Sequence, residues 1–377
     1  MTVRVYRSSE FGAPVLNGLA GSLINVLDAC LVNGFGMLTI TSLTQIDGVA
    51  TAVTDSPHLY VNSPKVTIAG AVQPEYNGEV TATVTGSNTF TFPVSSATPS
   101  PATGTLTTAR ASAGFTKAHQ GTNLAAYRQP LSGANGFYYR VDDGGGQYAR
   151  VVGYETMSSI SVGENPFPTE SQVAGGLYAY KSVAASSVDR PWMLVTNGSL
   201  FYLLLNPNSD SGWISAQMLV FGDITSYRGG DAYATLIVGA PSASGTTNAF
   251  STLAVNAATA LQQGHFMARS YNQTVASVTV GKTSDAAKST GGVGMGKSGL
   301  TYPSPVDGAL YSAEVYISEP VTSALRGVLP GLQNPLHSRP LLPGDIWIPV
   351  GDLSGKTYEV VQLYSSAQCF LETSDTW

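Results

Sequence analysis

The sequence predicts a mainly β protein of antiparallel sheets, sandwich-like or barrel-like, with one or two short helices and an inserted small all-β domain. Short apolar segments rich in β-prone residues recur along most of the chain, which is the pattern of strands. The 41 glycines and 21 prolines fall mostly between these segments, where they indicate turns. Only two segments have apolar residues at helical spacing.

Two hairpins are the clearest local predictions. In "FYYRVDD", residues 137–143, Phe137, Tyr139 and Val141 alternate with more polar residues, and "QYARVVGYE" follows a glycine-rich turn. In "PWMLVTNGSLFYLLL", two apolar runs flank Asn197-Gly198, a pair suited to the two positive φ values of a type I′ turn. Further strands are predicted in "AQMLVFGDI", "AYATLIVGA", "ASVTVGK", "ALYSAEVYIS", "KTYEVVQLY" and "AQCFLET".

The first predicted helix covers about residues 20–32. Leu23, Leu27 and Leu31 recur at a spacing of four, and Asn33-Gly34 follows as a left-handed C-terminal cap. A second helix is predicted within residues 246–264, where Phe250 begins an apolar face.

A change in composition divides the chain. Residues 38–113 are dominated by Thr, Val, Ser, Ala and Pro, with no charged residue between Glu79 and Arg110. We therefore predict a small all-β module at 38–113, inserted into a β-rich parent domain formed by residues 1–37 and 114–377. The alternative is one long β-rich excursion of the parent fold.

The amino-acid composition limits the classes of function that the chain can have. Charged residues make up 11% of the 377 residues and the net charge is −6, whereas an average soluble domain has about a quarter charged residues. The absence of a basic run argues against a nucleic-acid partner, and no apolar run is long enough to suggest a membrane partner. Low charge is typical of proteins that neighbours cover or that live outside cells, yet the N-terminal segment lacks the apolar core of a secretory signal.

The segment "GGVGMGKS" matches the phosphate-binding P-loop pattern at Gly291, Gly296, Lys297 and Ser298. That site needs a buried strand before the loop and a helix after it. The preceding segment is polar, and Pro303 and Pro305 fall where the helix would begin. We therefore interpret the match as chance, and we predict no nucleotide or other cofactor and no catalytic residue.

No metal site is predicted either. The histidines, at positions 58, 119, 265 and 337, are scattered, and the only cysteines, Cys30 and Cys369, are interpreted as buried apolar residues. Asp142 and Asp143 are interpreted as turn residues. The 19 tyrosines are expected mainly in packing, with a carbohydrate-binding surface around Tyr76 or Tyr138 as the alternative.

Many short segments in order resemble a family of virion structural proteins of tailed bacteriophages, including tail- or neck-associated proteins. The similarity covers roughly residues 1–36 and 114–377, and the inserted segment is similar to small β modules of other phage structural proteins. The matching segments are "VRVYRSSEFGAPVLNG", "GSLINVLDACLVNGFG", "GTNLAAYRQ", "FYYRVDD", "ARVVGYETM", "GGDAYATLI", "LRGVLPGLQNPLH" and "ETSDTW".

The resemblance implies a non-enzymatic structural subunit, located in the virion after synthesis in the host cytoplasm and release by lysis. Its partners would be copies of itself and other virion proteins in the tail, neck or baseplate region. Residues 325–337, "LRGVLPGLQNPLH", are expected to form an arm that docks onto a neighbour. Two alternatives stay open: a surface decoration, fibre or spike protein that binds host glycans, and an enzyme such as a depolymerase or nucleotide hydrolase.

Overall fold

Twenty-seven β-strands, numbered along the chain, form four antiparallel sheets in the described part of the protein. The computed structural model describes residues 2–61, 63–130, 133–209, 216–243, 264–283, 300–319, 321–337, 341–363, 367–374 and 377. The predicted fold class, mainly β with antiparallel sheets, is confirmed.

The strand bounds are as follows. Strands β1 to β8 are Arg4–Arg7, Phe35–Ile46, Val49–Thr54, Lys65–Ala71, Gly78–Thr81, Thr83–Val84, Thr89–Pro93 and Gly104–Arg110. Strands β9 to β14 are Thr116–Gly121, Leu124–Arg128, Tyr138–Asp142, Tyr148–Ser159, Val162–Phe167 and Leu177–Tyr180. Strands β15 to β21 are Trp192–Thr196, Leu200–Leu205, Gln217–Asp223, Thr225–Ser226, Thr235–Val238, His265–Arg269 and Ala276–Thr279. Strands β22 to β27 are Gly281–Thr283, Ser312–Glu319, Ala324–Pro335, Ile346–Trp347, Tyr358–Leu363 and Ala367–Glu372.

A central sheet, in the order β1-β15-β16-β17-β19-β20-β21, is covered on both faces. Successive side chains of a strand point to opposite faces, so Leu203 and Leu204 of β16 point in opposite directions. Leu203 belongs to one hydrophobic cluster and Leu204 to another, and neither is exposed. Two-sided burial explains why β15 and β16 are apolar at nearly every position instead of alternating.

Each face of the central sheet packs against its own outer sheet. The first outer sheet, β13-β12-β11-β10-β9 with β14 beside β12, shares the first cluster with the central sheet, through residues such as Tyr139, Val151 and Phe221. The second outer sheet, β22-β23-β24-β27-β26-β25 with β18 beside β24, shares the second cluster, through residues such as Ile317 and Val361. The parent part of the chain is therefore a three-layer β structure.

The predicted first helix is confirmed, with a different end. An α-helix, α1, covers Ser22–Leu27 and continues as a π-helix over Asp28–Asn33. Gly34 follows with φ 76° and ψ 179°, which is not the predicted left-handed cap. The apolar face of this helical segment packs into the first cluster. The described helices include none that is long and apolar enough to span a membrane.

Residues 35–110 form a separate sheet in the order β5-β4-β8-β2-β3-β7-β6. Its two edge strands, β5 and β6, are separated in sequence only by the buried Ala82, which brings the edges together and nearly closes a barrel. A third hydrophobic cluster, including Ile68 and Phe90, fills it. We call this unit the module; the predicted domain division at residues 38 and 113 stays a prediction.

Both predicted hairpins are confirmed, but the Asn197-Gly198 turn is not of the predicted kind. Asn197 pairs with Leu200, so Gly198 and Ser199 are the central residues, and of these only Gly198 has a positive φ. The Asn197 side chain accepts hydrogen bonds from the backbone N–H groups of Ser199 and Leu200, both at 2.9 Å. The turn with two positive φ values is instead Asp47-Gly48, between β2 and β3.

Two further predictions concern an arm at residues 325–337 and a second helix. The expected arm at residues 325–337 is wrong, because this segment forms most of β24, which pairs with β23, β27 and β18 inside the second outer sheet. The second predicted helix, within residues 246–264, lies almost entirely outside the described residues.

If both faces of the central sheet are buried, neighbouring residues of β16 must both matter for stability. We expect Leu203→Ala and Leu204→Ala each to lower the free energy of unfolding by about 2 to 5 kcal/mol, because each leaves a cavity in a packed core. Urea denaturation measures both, with Val306→Ala as a control, since Val306 is 91% exposed. A neutral result for either leucine would mean that one face of the sheet is open to solvent.

Candidate functional site at the junction of the module and the central sheet

Arg110, the last residue of β8, holds the module against the N-terminal segment. Its guanidinium forms an ion pair with Glu10 at 2.6 Å, and both side chains are almost fully buried. It also donates hydrogen bonds to the carbonyl oxygens of Lys65, at 2.9 Å, and Val5. Its charge lies 5.0 Å from the ring centre of Tyr6. Arg110 thus connects β8, β4 and β1 at one point.

Tyr6 and Gly34 complete this contact. The Tyr6 hydroxyl donates to the carbonyl oxygen of Ala111 at 2.8 Å, and burial raises the pKa of Tyr6 strongly, which keeps it a donor. At Gly34, a Cβ atom would lie 2.2 Å from the carbonyl oxygen of Arg110, and φ is 76°. Only glycine fits such a close approach at a positive φ, so any side chain at position 34 would push the module away.

A cleft of about 500 Å³ opens beside this contact, between β1, the start of β4 and the C-terminal strands. Its lining is mainly polar and includes three cationic side chains from distant parts of the sequence: Arg4, Lys65 and Lys356. Arg4 pairs with Glu79 at 2.6 Å and Lys356 pairs with the buried Glu372 at 2.9 Å. The lining residues are Val3, Arg4, Val5, Val61, Ser63, Pro64, Lys65, Gly355, Lys356, Thr357, Glu372, Thr373 and Ser374.

A chain of charged groups joins the three layers. Arg326 of the second outer sheet pairs with Glu319 at 2.6 Å and Asp231 at 3.2 Å, and donates to the carbonyl oxygen of Arg269 at 2.7 Å. Arg269 of the central sheet pairs with Glu155 of the first outer sheet through two hydrogen bonds of 2.6 and 2.7 Å. Burial alone would raise the pKa of Asp231, but hydrogen bonds and the Arg326 charge outweigh it and lower this pKa.

Asp142 and Asp143 have different roles. Asp142 accepts a hydrogen bond from the turn, as interpreted from the sequence. Asp143 is fully buried: it accepts hydrogen bonds from the backbone N–H groups of Leu23 and Ile24, at 2.8 and 3.2 Å, and pairs with Lys181. Burial raises the pKa of Asp143, and the Lys181 charge opposes this. The pair fixes the start of α1 against the first outer sheet.

The sequence patterns do not single out the organising residues Arg110, Glu10, Asp143, Lys181 and Arg326. A charged residue inside an apolar segment, such as Lys181 after "LYAY", is the signal that could have found some of them. Their partners could not be named, because Arg110 and Glu10 are 100 residues apart. Both cysteines are buried, as predicted; neither forms a disulfide, and they lie in different clusters.

The structure does not assemble the other sequence candidates into a site. Gly291, Gly296, Lys297 and Ser298 lie outside the described residues. Among the residues that the structure describes, no group of His, Cys, Asp and Glu side chains could hold a metal ion. Tyr76 is fully buried and Tyr138 nearly so, and therefore neither ring is available for a sugar to stack on.

Partly exposed aromatic rings cluster elsewhere, on the outer face of β12 and β14. Tyr148 packs edge-on against Tyr178 at 5.2 Å between ring centres, and Tyr180 stacks on Tyr148 at 6.3 Å. The Arg150 guanidinium lies 3.6 Å from the centre of the Tyr178 ring. Such a surface can bind apolar or ring-shaped groups.

Comparisons with known proteins do not identify a family for this chain. No known protein family matches the chain, and no curated protein matches it. Among solved structures, a similarity to "Phage phi92 endosialidase" has a TM-score of 0.14 and 8% sequence identity, over 89% of this chain. The chain spans about half, 51%, of the length of that protein. A likeness this low carries no argument about fold or function.

The Arg110–Glu10 pair generates a stability prediction. Removing one partner leaves a buried charge uncompensated, so we expect Arg110→Met or Glu10→Met to lower the free energy of unfolding by roughly 3 to 5 kcal/mol. The double variant Arg110→Met, Glu10→Met should recover much of the loss, because no unpaired charge is left. Chemical denaturation measures the free energy of unfolding of the unaltered protein, the two single variants and the double variant. Additive losses in the double variant would show that the two charges are not coupled.

His58 in the module gives a pH prediction. Its Nδ1 accepts a hydrogen bond from the Tyr60 N–H at 3.1 Å, and burial lowers its pKa in the folded state. In the unfolded chain the pKa of a histidine is about 6.5. Below this pH the unfolded chain binds a proton at His58 that the folded chain does not bind. The free energy of unfolding therefore falls as the pH drops below about 6.5. Thermal melting between about pH 7.5 and 5 should show this loss, and His58→Phe should reduce it. An unchanged slope in His58→Phe would assign the effect to other groups.

Proposed function

We propose that this chain is a non-enzymatic structural subunit of a tailed-phage virion, made in the host cytoplasm and released by lysis. It would assemble with copies of itself and with other virion proteins in the tail, neck or baseplate region, and would need no cofactor. The observation that carries the proposal is the resemblance of ordered segments from one end of the parent chain to the other. The three-layer β structure is compatible with it.

The distribution of charge supports an assembly role. Charged side chains are few, and the described residues use some of them in nine ion pairs within the protein, several of which are buried. The surface is therefore poor in charge. It also carries exposed apolar side chains close together in sequence around the edge strand β25, namely Leu342, Ile346, Ile348 and Val350. Surfaces of this kind are typical of subunits that bury area against neighbours.

The alternative is a surface decoration, fibre or spike protein that binds host glycans. The cluster of Tyr148, Tyr178 and Tyr180 with Arg150 is the observation that favours it, because sugar rings stack on exposed aromatic rings. This cluster replaces the surface around Tyr76 and Tyr138 that the sequence suggested.

Immunogold electron microscopy of intact particles, with antibody against this chain, distinguishes the two proposals. We expect label at the tail, neck or baseplate. Label spread over the head, or at the ends of fibres, would favour decoration or host binding instead. The same antibody is also applied to the lysate and to disrupted particles. A virion role would be contradicted if intact particles carry no label and disrupted particles contain only traces of the protein, while the lysate contains much of it.

A further inference from the structure

The cleft beside Arg110 brings together positive charge that is scarce elsewhere. The whole chain has 18 lysines and arginines in 377 residues, yet three of them line this one cleft. Arg4 comes from the N-terminal strand β1, Lys65 from the start of the module, and Lys356 from the turn before β26. Three separate structural units therefore contribute cationic residues to one lining.

These cations are only partly neutralised. Lys65 donates a hydrogen bond to the hydroxyl of Thr81, and among the described residues no carboxylate lies within ion-pair distance of it. Lys356 keeps 39% of its side chain exposed although it pairs with Glu372. The lining contains three cationic residues and one carboxylate, Glu372, so its net positive charge favours an anionic ligand.

The lining also indicates the kind of ligand. The described residues of the lining include no aromatic ring on which a sugar could stack. One wall is β1, which in the described part of the protein pairs with β15 alone and so is an edge strand of the central sheet. Short hydroxyl side chains, Ser63, Thr357, Thr373 and Ser374, provide hydrogen-bonding groups along the walls. An extended polypeptide fits such a lining better than a saccharide does, because its backbone groups can use these donors and acceptors.

We propose that this cleft binds an extended, acidic polypeptide segment, contributed in the particle by a neighbouring subunit. The identity of the partner rests on the proposed assembly role, whereas the binding of an acidic peptide does not. A second copy of this chain has the right charge, since acidic residues outnumber basic ones 24 to 18. The volume of about 500 Å³ lies within the range of about 300 to 1,000 Å³ that is usual for ligand sites.

The test uses the full-length protein and a fluorescently labelled hexaglutamate peptide, with binding followed by fluorescence anisotropy. We expect hexaglutamate to bind, hexaglutamine not to bind, and raising the salt to about 0.5 M to weaken the interaction. Lys65→Gln should weaken binding roughly three- to fivefold, the size expected for one partly exposed charge pair. Lys65→Arg should retain binding. That result would show that the affinity depends on the positive charge at position 65.

The matched control is Arg228→Gln, which removes an exposed cation that does not line the cleft and should leave the affinity unchanged. No hexaglutamate binding, or binding that Lys65→Gln and Arg228→Gln weaken equally, would overturn the proposal. Tighter binding of a hexagalacturonate of equal charge would overturn the assignment to a polypeptide. None of these results depends on where the protein lies in a particle, so the proposed function is tested separately by immunogold labelling.

Discussion

The burial of the central sheet on both faces is the constraint on which the rest of the structure depends. A strand covered on one side can alternate apolar and polar residues, but β15 and β16 have no solvent-facing side and are apolar at every position except Thr196. Each of the two faces then needs its own cover. The first outer sheet with α1 provides one cover, and the second outer sheet provides the other.

Hydrophobic burial alone does not fix how the layers are aligned, because it has little directional preference. The buried charges supply that direction. Arg326, Arg269 and Glu155 connect all three layers in one chain of contacts, and Asp143 with Lys181 fixes α1. Such groups add little net stability compared with apolar residues, but a misaligned arrangement would leave them unpaired at a large cost. Charged residues that pair inside the protein leave fewer of them for its surface.

Local features of the fold were predictable from the sequence, and long-range ones were not. The strand pairs β11–β12, β15–β16 and β26–β27 could be predicted because apolar runs and turns lie close together. The continuous apolar runs could not reveal a three-layer arrangement, since they do not indicate which sheet covers them. The Asn197-Gly198 turn was misassigned because the Asn197 side chain binds the turn backbone and moves the central position by one residue. The cleft could not be predicted, because its walls come from separate parts of the sequence, near residues 3–5, 63–65, 355–357 and 372–374.

The junction between the module and the central sheet connects the fold to the proposed role in assembly. Arg110 and Tyr6 hold the module in a fixed position on the central sheet, and the cleft lies where the module, the N-terminal strand and the C-terminal strands meet. A segment bound there would contact all three units at once. It could therefore join subunits without any change of their fold.

Amide hydrogen exchange of the intact protein, followed by mass spectrometry, tests the two-sided burial of the central sheet most directly. Amides of a strand that is covered on both faces open only when the layers separate, so they exchange most slowly. Peptides that cover residues 192–205 and 217–223 should be the most protected, well above those from β9 and β25 at the edges of the outer sheets. Exchange of residues 192–205 as fast as that of these edge strands would contradict the three-layer arrangement.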